Sequence, residues 1–348
     1  MKKSEIIKLI TFPVLLVGAV VSLDLFFFNK VSDDLTSYSQ FYKEEENCLD
    51  VALIGNSTLR EGYVPTVMWN EYQITSRGLS SSPTHPEVIK VAIDEVVRSQ
   101  KPKVIFIDLN GLTFQKKADA EFFIKQYYKA LPKGEHKDHL LETYSYLRDE
   151  GDDYELFHNH NNFRQQQYWE SIVYPEQFKT KGYYANNIVY RVKPIDFDKS
   201  LKKDLPVDGE EYLNEILKQT DKYKDDVTFI FGKMPRFISN NTDAEAYQMF
   251  NYIEEKLKGT SYIVKDFCKE VDEIGLNPNQ DFKDIEHLNH LGALKFTRHF
   301  ANYLTNELHL EKKNKTESVK KDFDEAYENT KGYLQRIEND LKKKTGQN

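Results

Sequence analysis

The pattern of apolar and polar positions divides the chain into parts of different character. Residues 6–28 form an apolar run of 23 residues carrying two charges, Lys8 and Asp24, both near its ends. That is long enough to span a bilayer core, and the apolar stretch of a secretory signal is shorter. Lys2, Lys3 and Lys8 mark its start, and Asp33, Asp34, Glu44, Glu45 and Glu46 follow it. This asymmetry predicts an anchor over 1–30 with a cytoplasmic N-terminus and the rest of the chain outside the cytoplasm. A cleaved signal peptide is the competing reading, but a clean small-x-small cleavage site is not evident.

After a polar linker, 31–47, the period changes. In "VALIGNSTLREG" the run Val51-Ala52-Leu53-Ile54 is continuous, which predicts a buried strand ending at Gly55. A short strand near 73–76, a Gly/Ser/Pro loop, an amphipathic helix over 86–99 and a buried strand over 104–108 follow, a parallel β–α–β pattern. The pattern resumes with a strand over 227–231, a helix over 243–257, a strand near 262–264 and a helix after "HLNHLG". The expected architecture is α/β: a flavodoxin-like three-layer α/β/α domain with a parallel sheet, assembled from 48–114 and 226–308. Between its halves, 115–225 reads as an aromatic-rich insertion. Within it, residues 121–197 hold 17 of the chain's 46 aromatic residues, which suits either a helical subdomain core or a lid on which sugar rings or acyl chains pack. In the charged tail, 309–348, Val319, Phe323, Ala326, Thr330, Tyr333, Ile337 and Leu341 recur every three or four residues. They predict an amphipathic helix docking on the body, a partner or a membrane surface.

Composition narrows the function classes. With 348 residues, 39% hydrophobic and 30% charged, the chain can bury a real core. A net charge of −8 argues against a nucleic-acid partner. Cys48 and Cys268 are isolated and fit neither a disulfide framework nor a metal spacing. The histidine pairs His136/His139 and His158/His160 lack further ligands at suitable spacing, so neither a metal nor another cofactor is expected.

The chemistry-bearing residues fall at the predicted C-terminal ends of strands, where open α/β sheets place their sites. Ser57 follows the first strand, Gly78 the second and Asn110 the third, and "DIEHLNHLGA" follows the last. Ser57 alone reads better as a helix cap than as a nucleophile. Asp284 and His287 alone could be a surface pair beside a helix start. A carboxylate three residues before a histidine can, however, accept from Nδ1–H and leave Nε2 facing a nucleophile.

These residues together resemble the SGNH (GDSL-type) hydrolase and acyltransferase superfamily. The family's Gly-Asp-Ser appears as Gly55-Asn56-Ser57, its block-two glycine as Gly78, its Gly-x-Asn-Asp as Asp108-Leu109-Asn110-Gly111, and its Asp-x-x-His as Asp284 and His287 with Asn289 and Gly292 as an extension. The resemblance covers roughly 48–112 and 226–305. It implies a catalytic triad of Ser57, His287 and Asp284, with an oxyanion hole from the backbone N–H groups of Ser57 and Gly78 and the Asn110 side chain. His85 reads first as a turn histidine and His290 as an outward-facing neighbour of His287; with Asn289 they are the candidates for lining the substrate entrance. Asn56, Asp108 and Gly111 depart from the family pattern. Such departures, with the anchor, resemble the membrane-bound branch that O-acylates cell-surface polymers, including alginate acetylation and teichoic acid D-alanine transfer proteins. This branch implies a cell-envelope glycopolymer substrate, a neighbouring multi-pass membrane-bound O-acyltransferase and no cofactor. A catalytically inactive glycan-binding or scaffold partner is the alternative.

Overall fold

Strands buried on both faces read as unbroken apolar runs, and "VALIG" and "VIFID" lie at the centre of the molecule for that reason. The computed structural model describes residues 3–28, 33–81, 84–132, 134–149 and 179–346. Helix α1 (Lys3–Phe28) is long and apolar enough to cross a membrane, and none of its Glu5–Leu23 stretch is buried against the rest of the chain. Helix α2 (Asp33–Phe41) leads into the body. There follow β1 (Val51–Gly55), α3 (Ser57–Gly62), α4 (Pro65–Tyr72), β2 (Ser76–Ser80), α5 (Pro86–Gln100) and β3 (Val104–Asp108). Next come α6 (Ala120–Ala130), α7 (Glu135–Thr143), α8 (Val207–Thr220), β4 (Thr228–Lys233), α9 (Asn241–Leu257) and β5 (Ile263–Asp266). The chain closes with α10 (His290–Asn302) and α11 (Glu317–Thr345).

The five strands form one parallel sheet in the order β2-β1-β3-β4-β5. The path runs outward from β1 to β2, then returns past β1 to β3. The C-terminal ends of β1 and β3 therefore flank the point where winding reverses, the place such sheets offer to ligands. Alternation along each strand sorts the side chains into two layers. Ala52, Ile54, Ile105, Ile107, Phe229 and Phe231 pack with α5, α8 and α9. Val51, Leu53, Val104, Phe106 and Ile230 pack with Met68 of α4 and with Phe296 and Phe300 of α10.

The segment between β3 and β4 does not keep its apolar residues to itself. Ile124, Tyr127, Leu140, Tyr212, Leu213 and Ile216 belong to the same cluster as the sheet, and α8 lies along α5 as the helix of the β3–β4 crossover. Much of the aromatic-rich stretch, with His158 and His160, lies outside the described residues.

The tail helix docks on the body. Val319, Phe323, Ala326, Thr330, Leu334 and Leu341 of α11 are buried, and the helix crosses α4 and α10. Trp69 Nε1 donates to Asp324 Oδ1 at 2.8 Å. Just ahead of the helix, Lys315 pairs at 2.8 Å with Asp50, buried beside the start of β1. Under this strap His290 is buried, with Nδ1 at 2.9 Å from the Tyr183 hydroxyl. Burial pushes its pKa down to about 4, with Glu338 and Arg298 acting in opposite directions. A histidine neutral in the fold but titrating at 6.5 when unfolded contributes its full stability above pH 6.5, and the contribution is lost as pH falls towards 4. Urea unfolding is expected to show up to about 3 kcal/mol of acid destabilisation over that window, and His290→Gln a shallower dependence.

Candidate active site

The glycine that ends β1 is required by what stands beside it. A Cβ on Gly55 would lie 2.9 Å from Asp108 Cβ and 2.9 Å from Leu59 Cδ2. The chain then turns at Asn56, whose extended backbone and side chain cap α3. Asn56 Oδ1 accepts from Thr58 N at 2.9 Å and from Thr58 Oγ1 at 2.6 Å. Asn56 therefore holds the turn that carries Ser57. Ser57 is left at the first helical position, half-buried, with a backbone N–H that has no intrahelical acceptor.

Facing it is a side chain 230 residues away in the sequence. Ser57 Oγ lies 2.8 Å from His287 Nε2. His287 Nδ1 lies 2.9 Å from both carboxylate oxygens of Asp284. Asp284 Oδ1 also accepts from the backbone N–H groups of Glu286 and His287, each at 2.8 Å, which folds the loop back on itself. Burial alone would raise the Asp284 pKa. The His287 ring N–H and these backbone donors outweigh it and hold the carboxyl at about 2. Asp284 is thus an ionised acceptor at any ordinary pH. It keeps the proton on Nδ1 and leaves Nε2 to accept from the serine hydroxyl.

The loop is secured from behind. Asn289 caps α10 by accepting from Leu291 N at 3.0 Å and Gly292 N at 3.3 Å, and it donates to Gln280 O at 2.7 Å and Ile188 O at 3.1 Å. A Cβ on Gly292 would sit 2.4 Å from Asp281 O, so this helix start can approach the loop only with glycine there. Lys283 Nζ grips both oxygens of buried Glu61 at 2.8 and 2.7 Å, joining the loop to α3.

The third strand exit comes close through Asp108. Its Oδ1 accepts from Asn110 N at 2.8 Å and its Oδ2 lies 3.3 Å from Thr58 Oγ1, whose proton goes to Asn56, so one buried carboxyl sits between the serine turn and the Asn110 turn. The carboxylate is engaged by the Asn110 N–H. Burial raises its pKa to about 6 against the pull of that N–H, of Thr58 and of Arg236 and Lys233. An acid with a raised folded pKa is favoured in the fold while protonated. Asp108 therefore costs stability progressively as pH rises from 3.8 through 6. Asp108→Asn, which keeps an acceptor for Asn110 N, is expected to gain up to about 3 kcal/mol on wild type above pH 6 and nothing near pH 3.5, read by urea unfolding at both.

Four expected side chains or donors stand elsewhere. Gly78 lies within β2, opposite Leu53. The strand runs over Ser76–Ser80 and not 73–76, so Gly78 is not in the exit loop; its carbonyl oxygen lies 3.2 Å from where a Cβ on Gly182 would be. His85 is completely buried as the cap of α5. Its Nδ1 accepts from Glu87 N at 3.1 Å, its Nε2 contacts Lys116 O at 3.0 Å, and its ring stacks on Phe123. Asn289 positions the loop and His290 lies under α11; both are fully buried and neither lines an entrance. His136 contacts Glu95 at 2.8 Å, and among the described residues no group of three or more His, Cys, Asp or Glu side chains is arranged for a metal.

Three contributors escaped the sequence reading: Glu61, Lys283 and Arg236. Arg236, in the exit loop of β4, had one local signal: it lies at the C-terminal end of a buried strand, where a charge is unusual without a purpose. A cavity of about 570 Å³ lies apart from all of these, between α2, the β2 edge and α11, lined in part by Arg77, Glu44, Lys181 and Phe323.

The chain matches no protein-family model and no curated protein. Among solved structures, a gut microbial diltiazem-metabolizing enzyme aligns with it at a TM-score of 0.36 and 9% identity, over 73% of this chain. The chain spans 47% of that enzyme's length, and a likeness this slight has no bearing on function.

Proposed function

We propose that the protein is an SGNH-type serine esterase or O-acyltransferase that works on acyl groups of a cell-envelope glycopolymer through an acyl-Ser57 intermediate. The observation that carries this reading is the unbroken chain from Ser57 Oγ through His287 to Asp284, with contacts of 2.8 and 2.9 Å. A serine hydroxyl becomes nucleophilic when a base at this distance removes its proton as it attacks. His287 Nε2 takes that proton while Ser57 Oγ bonds to the ester carbon. The carbonyl oxygen gains the electron pair, and in this reading the Ser57 N–H and the Asn110 amide donate to it. Collapse of the tetrahedral species expels the first alcohol, which leaves with the proton returned by His287. Water or a sugar hydroxyl then attacks the acyl-serine by the same steps, its proton passing through His287 back to Ser57.

Gly78 has no part in this scheme, so the donors of the chain's own hole are Ser57 N–H and Asn110 Nδ2. The apolar α1 supports a membrane location; the lysines at its start are the reason for reading the catalytic domain as outside the cytoplasm. That placement would set the site beside envelope polymer and a multi-pass membrane-bound O-acyltransferase. The test is fluorophosphonate labelling of the detergent-solubilised full chain. Wild type is expected to label, with Ser57→Ala and His287→Ala blank. Absence of labelling together with retained glycan binding would favour the scaffold reading.

A further inference from the structure

The exit loop of β4 has no role in the chemistry above, yet its Arg236 reaches directly beneath the site. The side chain is 5% exposed. Its Nη2 lies 3.4 Å from Asn110 Oδ1 and 3.2 Å from Asp243 Oδ1, and its Nη1 lies 3.2 Å from Glu286 Oε1. Glu286 stands between Asp284 and His287. Asp243, itself buried, is held by Asn240 Nδ2 at 2.8 Å. The loops leaving β3, β4 and β5 therefore meet on one guanidinium.

We propose that Arg236 is a positioning residue for the oxyanion hole: it holds Asn110 Oδ1 on its own side, so that Asn110 Nδ2–H faces the reacting carbonyl. This rests on the catalytic reading of Ser57. A carboxamide is nearly symmetric in shape, and its terminal torsion is broad and two-fold, so packing alone does not choose which prong faces the site. Turned over, Asn110 would present an oxygen to a developing oxyanion, and a donor would become a repulsive acceptor. Arg236 has five N–H donors and no acceptor, so it tolerates only the oxygen. Its charge persists at every working pH, and the electrostatic preference survives a contact as long as 3.4 Å. Asp108 holds the Asn110 backbone N–H and leaves the side chain undetermined. Asn110 Nδ2 has no hydrogen-bond partner among the described residues.

The experiment compares wild type with Arg236→Gln, Arg236→Lys, Asn110→Ala and the Asn110→Ala/Arg236→Gln pair, all as full chain in detergent. Arg236→Gln is expected to lower kcat about tenfold with KM within about twofold, because the donor it orients acts in the transition state. Arg236→Lys, which keeps a cation against Asp243 and Glu286, is expected to fold and to recover part of that loss. In the Asn110→Ala background, Arg236→Gln is expected to cost nothing more, since the group it orients is gone. An equal loss in both backgrounds would overturn the proposal and leave Arg236 a structural residue, as would an unchanged kcat in both Arg236 variants. The side-chain amide resonance of Asn110 in ¹⁵N-asparagine-labelled protein supplies a readout independent of turnover. It is expected to shift in both Arg236 variants, and an unmoved resonance would overturn the contact. Failure of wild type to label with fluorophosphonate would instead sink the catalytic reading, and the resonance would still decide whether Arg236 orients Asn110.

Discussion

Ser57→Ala is expected to abolish ester turnover and covalent labelling while leaving the unfolding transition where it was. The stability half of the expectation follows from the cap. Asn56, not Ser57, satisfies the first turn of α3, and the Ser57 hydroxyl bonds to His287. The catalytic half follows from the proposed triad acting as a unit. Removing a nucleophile or its base typically costs about 10⁶-fold in kcat, and removing both costs little more. His287→Ala should therefore match Ser57→Ala, and the double variant should be no worse than either. Asp284→Asn is expected to fall by about 10⁴-fold, because the neutral amide no longer dictates which ring nitrogen carries the proton. Hydrolysis of a p-nitrophenyl ester and in-gel labelling read all four variants. Turnover retained in Ser57→Ala would place the nucleophile elsewhere and end the mechanism.

Phe323→Ala is expected to destabilise the fold by about 3–5 kcal/mol, the usual cost of emptying a buried aromatic site. The Phe323 ring is 1% exposed, packs on Trp69 at 5.6 Å between centroids and lies under Lys181 Nζ at 4.3 Å. Trp69 is in turn anchored by Asp324 of the same helix, so the loss would loosen α4 as well as α11. Glu325→Ala, on the exposed face of the same turn, should change stability by less than about 0.5 kcal/mol and serves as the control. Urea unfolding compares the two. A loss below about 1 kcal/mol in Phe323→Ala would mean that α11 is not integral to the body and docks elsewhere in solution.

What the chain could specify locally was readable from it. The strand Val104–Asp108 ends where its apolar run ends, and α5 begins at the Pro86 that follows its cap. The amphipathic spacing of the tail marks the buried face of α11. The Asp284–His287 pairing follows from a separation of three residues, over which a carboxylate can reach both a ring nitrogen and two backbone donors. Each of these is decided within a few residues, by periodicity, capping or short-range hydrogen bonding.

The rest depended on neighbours far away in the chain. β2 carries Ser76, Arg77 and Ser80 among its five residues, a pattern that does not announce a buried strand. It becomes one because α2 covers that edge and Glu44 and Gln40 meet the Arg77 guanidinium, and this moves Gly78 from a loop into the ladder. His85, Asn289 and His290 are polar residues at helix starts, where solvent and interior are equally near. Phe123, Ile188 and Tyr183, each from the segment after β3, decide that they face inward. Arg236 finds Asn110 only because β3 and β4 are adjacent in the sheet. By itself the sequence determined β1, β3, α5 and α11 and the chemical types at the strand ends. Tertiary structure decided which of those ends face one another, because the order of strands and the burial of polar side chains are set by contacts between segments that no local pattern encodes.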